Sequence, residues 1–324
     1  MNATIQGGTQ SRHSSGAHGL ALATAWATGL LLVIGGLVTS KGVGLAVPDW
    51  PTTFGYNMFL YPWSKMVGGI FYEHSHRLVA SGVGLMTLFL AVLLWFREPR
   101  KWVRWLGTMA LALVILQGVL GGLRVVLIEQ MLAIIHGSLA QIFFALVVSL
   151  ALFTSKEWDE RGKGIRIPEA RRFRRLCLLT TGFIYFQVLL GAMLRFTGSF
   201  LEAHVLLAFL VAAHVLLVIF RVQRFGPDQR KFAGPAFLLG ALLILQLALG
   251  LGSYLGKFAP LGLVLAPGAV VGLTTAHMVV GALMLATSLV LTLRCYRYLA
   301  LPDPQLNEAF LSAHAEGRSE QVSA

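Results

Sequence analysis

Four histidines, His76, His136, His204 and His277, recur in a strongly apolar chain. Each falls in the outer part of every second hydrophobic run. An ionisable side chain inside a membrane helix is a functional candidate by default, because burying it in lipid is costly. A neutral imidazole nitrogen ligates haem iron, and two on facing helices of one bundle supply both axial positions. Any single histidine could simply hydrogen-bond between helices. Four at similar depth argue for ligation instead, since independent structural histidines would scatter. Small residues nearby leave room for a flat macrocycle: Gly82 and Gly84, Gly137 and Ser138, Gly281 and Ala282. Zinc would need a third and fourth ligand that these apolar surroundings do not offer.

The other histidines fit this pattern poorly. His74 is two positions from His76, hence about 200° around a helix, and cannot share its ligand. His214 lies ten residues below His204, about 15 Å deeper, with no histidine at matching depth. It is read as structural. His13, His18 and His314 fall in polar tails and carry no specific expectation. Glu73 precedes His76 by three residues, so it lies one turn outward on nearly the same face. A carboxylate there could move protons or stabilise a developing cation. It could equally be an interfacial acid paired with Arg77. Arg77, Arg124 and Arg195 are among the few cations on that side, and could pair with haem propionates through the guanidinium fork or snorkel to the interface.

The elements that must position these residues follow from composition. Of 324 residues, 56% are hydrophobic and only 12% charged, about half the charge of a soluble domain. The apolar residues come in long, non-alternating runs, each sufficient for a helix across the hydrocarbon core. Eight spans are expected, near 20–40, 72–96, 105–126, 131–154, 176–197, 201–220, 234–255 and 269–292. Six cations lie on one side: Lys41, Lys65, Arg77, Arg124, Arg195 and Lys257. The other 20 of the 26 Lys and Arg lie on the opposite side. The positive-inside rule places that side, with both termini, in the cytoplasm. The net charge of +12 is thus a topology signal and not a nucleic-acid signal. The first span is read as a retained helix.

The expected fold class is an all-α membrane protein with eight transmembrane helices in two pseudo-symmetric four-helix bundles. A polar link at 155–175 separates an N-terminal bundle, 20–154, from a C-terminal bundle, 176–297. Tails cover 1–19 and 298–324. The odd spans share a residue four before a glycine: Leu31 and Gly35, Gln117 and Gly121, Gln187 and Gly191, Gln246 and Gly250. Residues at i and i+4 share a helix face. Glycine there admits a flat ligand or a close neighbour, and glutamine offers a hydrogen bond. One outer loop, 41–70, is long and holds Pro48-Asp49-Trp50-Pro51. Loops of that length are often functional; a cap anchored by Trp50, Tyr61 and Trp63 is the plainer alternative. The two cysteines, Cys177 and Cys295, fall beside basic clusters, where a disulfide is not expected.

With these motifs in place, the chain resembles the haem A synthases, membrane enzymes that oxidise a methyl group of haem O to the formyl group of haem A. The resemblance rests on Pro48-Asp49-Trp50-Pro51, Glu73-His74-Ser75-His76-Arg77, Gln117-Gly118-Val119-Leu120-Gly121-Gly122 and His136-Gly137-Ser138-Leu139-Ala140-Gln141. The C-terminal half matches mainly through His204, His277 and the glutamine–glycine repeat. The resemblance implies haem O between His76 and His136, with Glu73 as the catalytic acid residue. It implies a b-type haem on His204 and His277 as electron-transfer cofactor, and oxidation by successive two-electron steps through an alcohol. It also implies a bacterial inner-membrane location and, as partners, a haem O synthase, a terminal oxidase subunit and the lipid bilayer, but no nucleic acid. A homo-oligomer is compatible with it. The chain departs from many bacterial members in lacking a cysteine pair in the first outer loop. His214 competes with His204, which is followed by Val205 where His76 is followed by Arg77. The competing function is a di-haem b-type cytochrome carrying electrons from quinol. A transporter would need broken helices or mid-membrane charges.

Overall fold

The computed structural model describes residues 15–159, 164–167, 169–226, 230–258 and 265–300. Arg12, His13, His314, Arg318 and the ends of both tails lie outside the described residues. The elements run α1 (Ser15–Ser40), α2 (Gly68–Arg97), α3 (Lys101–Leu127), α4 (Gln130–Phe153), a short α5 (Lys156–Asp159), α6 (Ala170–Thr197), α7 (Leu201–Gln223), α8 (Arg230–Lys257) and α9 (Pro267–Tyr298). All but α5 are long and apolar enough to cross a membrane, giving eight such helices among the described residues. The protein is a multi-pass membrane protein. Its outside is apolar accordingly: Trp26 and Phe96 are about 80% and 82% exposed, which only a lipid surround tolerates.

The helices run past the ends that hydropathy suggests. α6 begins at Ala170 and not near 176, and α9 continues to Tyr298 and not 292. Arginine is a good helix former and its long stem snorkels, so basic turns extend a helix beyond the hydrocarbon core. His18 sits within α1 and not in a tail. Its Nδ1–H donates to the Ala151 carbonyl of α4 at 2.9 Å. Pro235 lies inside α8. Proline leaves the carbonyl four residues earlier without its helical donor. That carbonyl, on Lys231, instead accepts from Arg294 Nη1 at 3.1 Å.

Packing places the site. α1 packs on α2 and α4, and α3 on α2 and α4; α6 packs on α7 and α9, and α8 on α7 and α9. The two sets meet where α4 and α1 touch α9 and where α4 touches α6. Small residues make that seam tight: Leu32 and Phe144 pack on Ala282 and Ala286, and Gly36 faces Thr275 and Met278. Without a hydrophobic drive between helices in lipid, such close contact is what holds them together. Cys177 and Cys295 are both buried and free, with Sγ atoms 3.7 Å apart between α6 and α9.

At the basic end, Arg100 ties three segments. It donates to Glu98 Oε1 and Oε2 at 2.6 and 2.8 Å, to Asp159 Oδ1 at 2.9 Å and to the Phe153 carbonyl at 2.8 Å. Glu98 is only 3% exposed. Removing one partner of a buried pair strands the other charge, at about 3–5 kcal/mol. Arg100→Ala should therefore lower the thermal unfolding midpoint of the detergent-solubilised protein well beyond a surface arginine control. An unchanged midpoint would show that Glu98 reaches water without it.

Candidate functional site

The four histidines share one local construction. Each ring packs against the glycine of the preceding long helix. A Cβ built at Gly35 would stand 3.0 Å from His76 Cε1; at Gly121, 3.2 Å from His136; at Gly191, 3.1 Å from His204; at Gly250, 3.0 Å from His277. An alanine at any of the four would force the ring to shift. Glycine in a helix costs about 1 kcal/mol relative to alanine. Four in one register are thus explained by the space the rings need. Two rings are also tied by hydrogen bonds. His136 Nδ1–H donates to the Gln117 carbonyl at 3.1 Å, and His277 Nδ1–H to the Gln246 carbonyl at 3.2 Å. A carbonyl only accepts, so Nδ1 carries the proton and Nε2 keeps its lone pair. That is the tautomer a metal ligand needs, and its second nitrogen is held as ligating histidines usually are.

The repeat brings the rings together in pairs. His204 and His277 have ring centroids 6.2 Å apart at 68°. A metal about 2 Å from each nitrogen, with each nitrogen about 1 Å from its ring centre, calls for about 6 Å. His76 and His136 line the same cavity, a single space of about 1860 Å³ that also reaches His204 and His277. Small-molecule pockets run from about 300 to 1,000 Å³, so this space exceeds what one small ligand requires. Its lining is mostly apolar, with amides from Gln117, Gln187 and Gln246. Gln187 Oε1 and Gln246 Oε1 are buried without a partner. Paired imidazoles, cradles without Cβ atoms and an apolar slot fit a haem-type macrocycle.

Glu73, His74 and Arg77 have a second task beside the cavity. They fasten the outer loop to α2. Arg77 donates to the carbonyls of Asp49 at 2.7 Å, Thr52 at 3.1 Å and Val47 at 2.9 Å, and to Glu73 Oε1 at 2.9 Å. Glu73 Oε2 accepts from the Val47 N–H at 3.0 Å. His74 is buried, with Nδ1 3.1 Å from Thr53 Oγ1 and its ring 5.1 Å from that of Tyr61. Asp49 organises the loop tip by accepting from Thr52 Oγ1, Phe54 N and Gly55 N. Partial burial raises its carboxyl, but the bonds from Gly55, Thr52 and Phe54 outweigh that and hold it below the ordinary carboxylate value. Trp50 lies on Gly122 of α3, so the loop closes over the first pair from above. The sequence shows both motifs, but not that one is the receptor of the other.

The remaining candidates fall as follows. Arg124 and Arg195 line the cavity. Arg195 donates to the Gly36 carbonyl at 3.0 Å and to Ser40 Oγ at 2.5 Å. Neither arginine has a carboxylate within ion-pair distance among the described residues, so both bring positive charge to the outer rim. Arg77 lines the cavity too, with its donors engaged by the loop and Glu73. Lys257, which no motif singles out, also lines it. Its only clue was membership of the six outer cations. His214 is not among the lining residues. Its Nδ1 bonds the Leu210 carbonyl of its own helix at 2.9 Å, and its ring meets Phe183 edge-on.

The chain is similar to known proteins over part of its length. Residues 62–202 match the sequence model of a family described as cytochrome oxidase assembly protein. That stretch holds Glu73, His76 and His136, and stops just short of His204. The chain is 27% identical over 173 residues to a haem A synthase of Shouchella clausii, covering 52% of this chain and 56% of that one. It is 28% identical over 185 residues to a haem A synthase of Bacillus licheniformis, covering 56% and 59%. The matched region spans a little over half the length of these relatives. Over this stretch the chain is similar to proteins described as haem A synthases.

Proposed function

We propose that this protein is a haem A synthase, oxidising a methyl group of haem O to the formyl group of haem A. The observation that carries the reading is a buried carboxylate, Glu73, lining the same cavity as the paired imidazoles His76 and His136, within the family match. In this reading the N-terminal bundle, 20–154, takes haem O between His76 and His136. The C-terminal bundle, 176–297, holds haem b on His204 and His277. The two bundles are pseudo-symmetric, the 155–175 link and both tails are cytoplasmic, and the membrane is the bacterial inner membrane. A haem O synthase and a terminal oxidase subunit are the expected neighbours.

A haem held on His204 and His277 would supply redox chemistry when bound, and a haem held between His76 and His136 would present the methyl group to be oxidised. The chain's own residues do the rest. The glycine cradles orient each imidazole so that Nε2 faces the cavity. The loop pinned by Arg77 and seated by Trp50 restricts water above the first pair. Glu73 accepts from Val47 and Arg77, which leaves its carboxylate placed at a fixed point to take or return a proton. Arg124 and Arg195 would neutralise propionates at the rim.

Expression together with a haem O supplier, followed by pigment extraction and chromatography, tests the reading. Haem A should appear in the extract. Haem B alone would turn the assignment to a di-haem b-type cytochrome carrying electrons from quinol. Glu73→Gln keeps an acceptor for the Val47 N–H but removes the charge. It should cut haem A formation by about 10²-fold or more, the scale of a lost proton-transfer group, with haem still bound. Undiminished product would remove Glu73 from the chemistry.

The second pair makes a separate claim. His204→Ala should abolish the low-spin bis-histidine spectrum of the resident haem, whereas His214→Ala should leave it intact, because His214 is spent on its own helix. The reverse result would transfer the ligand role to His214.

A further inference from the structure

The four rings differ in what steadies them. His136 and His277 each donate from Nδ1 to a backbone carbonyl, those of Gln117 and Gln246, at 3.1 and 3.2 Å, and the side-chain Nε2 of Gln246 lies 3.4 Å from His277 Nε2. His204 Nδ1 makes no such bond, but Gln187 braces that residue. Its Nε2 donates to the His204 carbonyl at 2.9 Å and lies 3.3 Å from His204 Nε2. At His76 the corresponding position on α1 is Leu31. The register is the same, because Gly35 backs His76 at 3.0 Å as the other glycines back their rings. Leucine has a backbone carbonyl like any residue but no side-chain amide to lay beside the ring, and His76 Nδ1 is buried without a hydrogen-bond partner among the described residues. A bond at Nδ1 fixes a ligand's ring and raises the basicity of its other nitrogen, and an amide brace restrains the residue. His76 alone of the four has neither.

We propose that the first pair is asymmetric: His136 is the anchored axial ligand and His76 the exchangeable one, with Leu31 as the residue that leaves His76 without a side-chain amide. A small diatomic ligand of the carbon monoxide class then enters on the His76 side. That is the side of α2 on which Glu73 stands, one turn outward along the same cavity wall. The proposal rests on reading the first pair as an iron-porphyrin site, and it adds which of the two bonds opens.

The test uses the full chain, purified in detergent with haem bound, reduced with dithionite and titrated with carbon monoxide. The parent chain should bind carbon monoxide at one haem per chain. His76→Ala should keep first-site haem as a five-coordinate species, and His136→Ala should lose it. Leu31→Gln should weaken carbon monoxide binding about tenfold, the lower end of what second-shell partners contribute. Leu31→Met, similar in size but without the amide, should leave it unchanged. Equal affinity in Leu31→Gln and parent would overturn the asymmetry while leaving the first-pair reading intact. Should Leu31→Gln fail to fold, haem loss in His76→Ala with retention in His136→Ala overturns it instead. Full haem retention in the His76→Ala, His136→Ala double variant would overturn both the asymmetry and the reading beneath it.

Discussion

Close approach of an imidazole ring to a backbone without a Cβ is the contact on which the rest of this molecule depends. It occurs four times, at Gly35, Gly121, Gly191 and Gly250, each against the histidine of the following membrane helix. The contact sets the separation of each helix pair and the direction of each ring. Rings that all turn Nε2 to the interior leave a common space between the helices. That space is apolar because most residues around the rings are those of ordinary membrane helices. A polar ring in such surroundings is costly with its second nitrogen unsatisfied, and the backbone carbonyl four residues before the glycine meets that need at His136 and His277.

A second constraint closes the site on one side. The outer loop buries Val47, Tyr61 and Met66, and hydrogen bonds to its backbone carbonyls hold it to α2. Arg77 suits this because one planar guanidinium can reach several acceptors. It satisfies three loop carbonyls and Glu73 together. The acid that stands beside the histidine pair is therefore also a strut of the lid. In the proposed reading chemistry and closure share one ion pair, and substitutions at Glu73 read on both unless the hydrogen-bond acceptor is retained.

The two histidine pairs are built alike but not identically. The second pair has a glutamine on each side, and its rings already stand at a separation suited to holding one metal between them. The first pair has a glutamine on one side and Leu31 on the other, with a carboxylate and a closed loop nearby. A site for a resident cofactor benefits from two steadied ligands. A site where a substrate arrives, reacts and leaves benefits from one that lets go. The departure from the repeat at a single residue is where the two halves differ in kind.

Much of this was legible in the chain itself. Eight spans follow from hydropathy, because an apolar run of that length has no other way to satisfy its backbone in lipid. The four histidines and the glutamine–glycine register are visible because a repeated unit repeats its polar exceptions. Helix ends were less legible, since arginine-rich turns such as those opening α6 look like loops to a hydropathy count yet carry helix well past the hydrocarbon core. The place of His18 and the rescue of the Lys231 carbonyl by Arg294 could not be read at all, because their partners come from distant helices. The same holds for the loop. Pro48-Asp49-Trp50-Pro51 and Glu73-His74-Ser75-His76-Arg77 announce themselves separately, but only the fold makes one the clamp of the other. Sequence by itself determined which residue types face a helix interior and at what spacing, since periodicity along one helix is a local property. Tertiary structure decided which rings meet and which cations stay unpaired, since both depend on distances between helices that no spacing along the chain encodes.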